Sequence, residues 1–333
     1  MSFPAAASTR SFVDVDVSVG WWLGLLAVLA VLLLVDLLVV HREGHVVHTK
    51  EAALESAVWI SIGLAFGLVV WWGFGGSAAG EYYSGYLIEK SLSVDNVFVW
   101  ALILSHFSVP QKYQHRVLFW GIFGALVMRA VFIFAGVALI NAFNWVLYLF
   151  GAFLLYTAAK LVVQGDEHVD PSQGRFYRAL RRVIPMTDEM HGQSMFARVG
   201  GRRVGTPLLA VLILVELTDV LFAVDSVPAV LAVSHEQFLV FSSNAFAILG
   251  LRALYFLLAD MHARFSYLQQ GLAIILAFVG VKMIVHDWYH IPTWLSLTVI
   301  ALVLASSIGF SLRATRHVDT IQLGEEPPPS DER

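Results

Sequence analysis

Nine apolar runs of about twenty residues fill most of this chain, near 21–40, 52–72, 82–105, 116–140, 144–163, 207–233, 238–259, 267–285 and 292–312. A run of about 20 residues, at 1.5 Å per residue, matches the hydrocarbon thickness of a bilayer. With no water there to satisfy the backbone, only helices and closed barrels can cross. Runs this long and this continuously apolar read as helices. Only 14% of the residues are charged, against about 25% in a soluble domain. The expected fold is an all-α membrane protein with about nine transmembrane helices.

The basic residues sort themselves by side. Loops that fall on one side under a nine-span count carry fifteen of the twenty-one Lys and Arg residues, and the opposite side holds Arg10 alone. The other five, Lys90, Arg129, Lys160, Arg252 and Lys282, lie within spans. By the positive-inside rule the N-terminus is outside and the C-terminus in the cytoplasm. Residues 1–20 form an extracytoplasmic segment without the charged and apolar regions of a signal peptide. Residues 21–163 carry spans 1–5, 164–206 make a basic cytoplasmic loop, 207–312 carry spans 6–9, and 313–333 form a tail expected to be disordered. Within the loop, "DPSQGRFYRALRRVI" starts with an Asp170 cap and Pro171 and suits a basic amphipathic helix, which lipid headgroups or cytoplasmic partners would contact. "FARVGGRRVGTP" reads as a Gly-Gly hairpin.

Two parts of the chain resemble each other. "EKSLSVDNV" at 89–97 and "DVLFAVDSV" at 219–227 each show an acid and, six residues on, a second acid inside Val-Asp-Asn/Ser-Val. "FGALVMRAVF" and "FAILGLRALYF" match in turn, with Arg129 answering Arg252. Spans 3–5 and 6–8 thus read as three-helix units of opposite orientation, an inverted repeat of the kind that places polar sites at mid-membrane. The symmetry puts Glu89 level with Asp225 and Asp95 level with Asp219, with Glu216 one turn further in.

Carboxylates at that depth need a reason, since each costs roughly 2.5–3.5 kcal/mol at a helix centre. Glu89, Asp95, Asn96, Glu216, Asp219, Asp225 and Ser226 offer only oxygen and amide donors, with no thiolate and no histidine nearby. That chemistry suits Mg²⁺, Ca²⁺ or Mn²⁺ better than Zn²⁺ or Cu⁺. Arg129 and Arg252 are expected to compensate charge. Pro228 is expected to kink or break its helix and re-aim Asp225. Asp36 and Glu55 lie near span ends, within reach of water. "HREGHVVH" at 41–48 reads as a polar turn, and Trp21, Trp22, Tyr82, Tyr83, Trp145 and Trp288 as an interfacial belt. The chain has no cysteine, which excludes disulfides and thiolate chemistry. It lacks the GxGD, GxSG and HExxH signatures of intramembrane proteases and any nucleotide-binding motif, so neither an enzyme nor a bound cofactor is expected.

"EKSLSVDNVFV", "GTPLLAVLILVELTDVLFAVDSVPAVLAVS" and "NAFAILGLRALYF" resemble the TerC family of integral membrane proteins, within the lysine-exporter superfamily, over residues 20 to 313. The resemblance implies a bacterial inner-membrane protein, a link to tellurium resistance and, in the pH-responsive Alx-like branch, manganese export. It also carries the family's intramembrane acids onto Glu89, Asp95, Glu216, Asp219 and Asp225. Tellurite, an anion, would be repelled by such a set.

The leading expectation is a secondary transporter that exports a divalent metal cation, manganese first, in exchange for protons. A Ca²⁺/H⁺ carrier would use the same acids. A membrane scaffold or assembly factor of a metal- or tellurite-stress complex, working through loop 164–206, is the alternative of a different class. The partners expected are the cation and membrane lipids, with no nucleic acid.

Overall fold

The computed structural model describes residues 13, 15–37, 49–143, 145–164, 185–187, 189–199, 202–258, 268–285, 288–289 and 291–322. The helices are α1 (Val19–Val35), α2 (Thr49–His106), α3 (Gln111–Ala142), α4 (Val146–Gln164), α5 (Pro207–Leu231), α6 (Gln237–Leu249), α7 (Leu251–Leu258), α8 (Leu268–Ile284) and α9 (Thr293–Gln322). Strands β1 (Phe196–Val199) and β2 (Arg202–Gly205) precede α5. Among the described residues five stretches are long and apolar enough to cross a membrane: Lys50–Ser105, Gln111–Ala142, Pro207–Leu231, Gln237–Leu257 and Thr293–Ser311. Val19–Val35, Val146–Lys160 and Gln270–Ile284 are apolar but shorter. The protein is a multi-pass, mostly helical membrane protein.

At 58 residues, α2 would extend roughly 87 Å if straight, far more than a ~30 Å hydrocarbon core can take. It is broken at Gly75, whose φ of 87° and ψ of 177° are open to glycine and strained for other residues. The two halves then fold back on each other. Tyr82 donates its hydroxyl to the Gly63 carbonyl at 2.8 Å, and Tyr83 donates to Leu64 at 2.8 Å. Gly63 and Gly67 lie so close to the Tyr86 and Tyr83 rings that a Cβ on either would collide. Tyr82 is therefore fully buried and not part of an interfacial belt, whereas Trp72, Trp145 and Trp288 stand exposed.

The centre of the bundle is α6, where every residue from Phe238 to Leu249 is buried. It ends at Gly250, which packs on Trp59, and Lys90 donates to the Ala247 carbonyl at 3.2 Å, one of the four that a helix end leaves open. Elsewhere in the bundle, α4 and α8 meet backbone to backbone. A Cβ at Gly151 or Gly280 would lie 2.9 Å from the other's carbonyl oxygen, the close approach that small residues allow between membrane helices.

Three expectations change here. The helix α5 runs unbroken from Pro207 to Leu231 through Pro228. Pro228 costs one backbone bond only a turn before the end, where the Ala232 N–H donates to the Pro228 carbonyl at 3.0 Å. Asp225 is thus aimed by regular helix geometry. Second, Asp36 does not reach water. It forms an ion pair with Arg252, both buried, at 5% and 3% exposure. Third, Arg252 consequently sits apart from the core acids, and the two arginines matched by sequence hold different partners.

Removing one member of a buried pair is costly, and Asp36→Asn is expected to destabilise the protein by about 3 kcal/mol. Thermal unfolding of the purified variant in detergent checks this; an unchanged midpoint would mean that the pair is dispensable.

Strands β1 and β2 pair antiparallel, with Arg198 opposite Arg203 and Val199 opposite Arg202, as the hairpin reading expects. Thr206 then leads into Pro207 at the first helical position. The expected basic helix near 170–184, the 41–48 histidine turn and residues 323–333 of the expected tail lie outside the described residues; residues 313–322, expected to be disordered, instead continue α9 to Gln322.

Candidate cation site

The second half of α2 carries Glu89, Ser93 and Asn96 at spacings of four and three, which set them on one face. On α5, Asp219 and Ser226 are seven residues apart, two turns along one face. Arg129 on α3 and Asn244 on α6 reach into the space between these faces. Glu89, Asn96, Arg129, Asp219, Ser226 and Asn244 are all at most 1% exposed.

Arg129 organises the cluster. Its Nε and Nη2 donate to Asp219 Oδ2 at 3.2 Å and Oδ1 at 3.1 Å, a fork-on-carboxylate arrangement. Its Nη1 donates to Glu89 Oε1 and to Ser226 Oγ, the latter at 3.1 Å. The Asn96 amide has two orientations to choose from. With the nitrogen outward it makes one long contact of 3.5 Å to Asp219 and turns an NH₂ toward the guanidinium. With the oxygen outward it accepts from Arg129 Nη2 at 3.2 Å and donates to the Leu92 carbonyl at 3.3 Å. A guanidinium has five donors and no acceptor, so the second orientation is correct. All five donors are then used on five oxygens. The remaining Glu89 oxygen accepts from Asn244 Nδ2 at 2.8 Å, and Ser93 Oγ donates to Oε1 at 3.4 Å.

Glu89 lies beside Ser226, the neighbour of Asp225, and Asp219 beside Asn96, the neighbour of Asp95. The side chain of Asp95 lies outside the described residues. Asp225 itself turns toward α4, where Thr157 Oγ1 donates to its Oδ1 at 3.1 Å and Lys160 is within electrostatic reach. Between Asp225 and the Arg129 cluster is a cavity of about 60 Å³, lined by Asn96, Arg129, Thr157, Asp225 and Ser226 with Leu92, Phe222 and Leu276. That is room for a few water molecules or one partly hydrated ion. Glu216, half-buried, rests on Gly124 of α3, and a Cβ there would strike its carboxylate.

Among the described side chains, Glu89, Asp219 and Asp225 therefore do not converge on one point. Among the described residues no three of His, Cys, Asp and Glu come together to hold a metal ion. Arg129 stands between Glu89 and Asp219, Asp225 faces another helix, and Arg252 is elsewhere. Thr157 and Asn244 were not singled out by the sequence. Thr157 is a polar side chain in the apolar stretch "LLYTAA" and Asn244 ends the polar trio of "SSNAFA", the one signal that could have marked them. Chemically the arrangement is a buried set of carboxylate, amide and hydroxyl oxygens around one guanidinium, next to a small cavity with both polar and apolar walls.

The model of the integral membrane protein TerC family matches residues 74–319. An uncharacterized membrane protein of Myxococcus xanthus is 49% identical over 303 residues, 91% of this chain and 95% of that protein. A protein of Escherichia coli K12 named "Putative membrane-bound redox modulator Alx" is 48% identical over 288 residues, covering 84% of this chain and 90% of its own. An uncharacterized membrane protein of Rickettsia bellii is 39% identical over 298 residues, 90% of this chain and 99% of that protein. No solved structure matches the chain.

Proposed function

This chain belongs to the TerC family of integral membrane proteins, and on that premise we propose that it is a secondary transporter exporting a divalent metal cation, manganese, in exchange for protons. The observation that carries the reading is the buried oxygen cluster of Glu89, Asn96, Asp219 and Ser226 beside the cavity that Asp225 lines. Ionisable groups at membrane depth that face the bundle interior and a cavity are the usual mark of an ion path. Oxygen donors without sulfur or imidazole suit a hard cation. The bundle is read as nine spans, with spans 3–5 and 6–8 as inverted units, in the inner membrane with the C-terminus in the cytoplasm. The carboxylates face the exported cation from the cytoplasmic side and carry protons on the return.

The relatives' printed description suggests a redox role. A thiol–disulfide route is not open to this chain, which has no cysteine, and the site favours ion movement over redox chemistry. Bacteria overexpressing the chain in excess Mn²⁺ should hold several-fold less cellular manganese than cells carrying an empty vector, and cells expressing Asp225→Asn should match the empty vector. Equal manganese content in all three would refute export.

A further inference from the structure

We infer that Arg129 is the resident cation of this site: its guanidinium occupies the position of the transported ion in the ion-free state, and loading requires it to release at least one carboxylate. The inference rests on the transport reading above and goes beyond it by naming what the substrate must displace.

Five oxygens converge on Arg129: both of Asp219, one each of Glu89, Ser226 and Asn96. A divalent cation with oxygen ligands takes about six, so the guanidinium already gathers most of a coordination shell. The second Glu89 oxygen is held by Asn244 at 2.8 Å, so the carboxylate is braced from behind and presented forward. Every donor of Arg129 is satisfied and the group is 1% exposed. Such a cation, packed on all sides, leaves no room for a second at the same point.

There is, however, room beside it. Arg129, Asn96 and Ser226 are shared between the cluster and the 60 Å³ cavity, and Asp225 lies on the far wall. A cation entering that cavity meets Asp225, Asn96 and Ser226 first and is repelled by the guanidinium next to them. Binding then favours an arrangement in which Arg129 keeps one carboxylate and gives the other up. The tethered arginine thus serves the empty carrier as a counter-ion that cannot diffuse away. It lets the site change its exposure without leaving two bare carboxylates in the membrane, and it weakens cation binding enough for release.

A purely structural arginine predicts the reverse of what this role predicts. If Arg129 only clamps helices, neutralising it loosens the site and weakens any cation binding. If it competes with the cation, neutralising it strengthens binding. The test is Mn²⁺ binding to the purified full-length protein in detergent by calorimetry, for wild type, Arg129→Gln and Arg129→Lys. Arg129→Gln should bind Mn²⁺ at least tenfold more tightly than wild type while Mn²⁺ exchange across proteoliposomes falls. Arg129→Lys keeps the charge but cannot fork onto Asp219 while holding Glu89, and it should bind a few-fold more tightly even where the glutamine variant does not fold. Wild-type binding with unchanged or weaker affinity in a folded variant would overturn the resident-cation role and leave the transport reading standing. Absence of Mn²⁺ binding by the wild type and both variants would overturn the cation site itself, and this inference with it.

Discussion

Asp225→Asn is expected to reduce Mn²⁺ flux about a hundredfold or more, roughly 2.7 kcal/mol in the effective barrier, with almost no change in folding. The reason is where Asp225 sits. Its hydrogen bond comes from the neutral Thr157 hydroxyl at 3.1 Å, and an asparagine oxygen in the same place accepts that bond equally well. The side chains have nearly the same volume, so packing against α4 is kept. What is lost is the negative charge on the cavity wall, where Asp225 is the one carboxylate among the described lining residues. Flux in proteoliposomes and thermal unfolding in detergent, measured on one preparation, separate the two effects. Normal flux in this variant would remove Asp225 from the ion path.

Asp219→Asn is expected to behave differently, with a loss of about 3–5 kcal/mol in stability and little assembled protein in the membrane. Asp219 accepts two of the five Arg129 hydrogen bonds, at 3.2 and 3.1 Å, from a site with 1% exposure. An amide can accept at one of those positions but presents an NH₂ at the other, facing a guanidinium that can only donate. The buried charge is then under-compensated. The contrast between two aspartates six residues apart on one helix follows from their partners, a guanidinium for one and a hydroxyl for the other. A stable, well-expressed Asp219→Asn protein would mean that Arg129 finds its compensation elsewhere.

Much of this was legible in the sequence because bilayer physics leaves few choices. A polar side chain in an apolar run of twenty must face the interior, so Glu89, Asp219 and Arg129 could be placed in the core from their positions alone. Helical spacing put Glu89, Ser93 and Asn96 on one stripe, and they share one face in the fold. The partner of each charge was not legible. Arg129 and Arg252 look alike in their local sequence, yet one lies between α2 and α5 and the other meets Asp36 of the neighbouring π-turn at the end of α1. That difference depends on how helices far apart in the chain pack, and no local pattern encodes it. Pro228 misled for a related reason. Its rule concerns helix interiors, and it stands only three residues before the end of α5 at Leu231.

Under the proposed function, the cluster and its cavity carry a divalent cation across the membrane. The most direct measurement is Mn²⁺ uptake into proteoliposomes containing the purified protein and an internal pH-sensitive dye. Saturable Mn²⁺ entry accompanied by proton movement in the opposite direction is expected, both absent with Asp225→Asn. No flux of Mn²⁺, Ca²⁺ or Mg²⁺ under any ion gradient or membrane potential would contradict it and leave the buried carboxylates as a structural charge network.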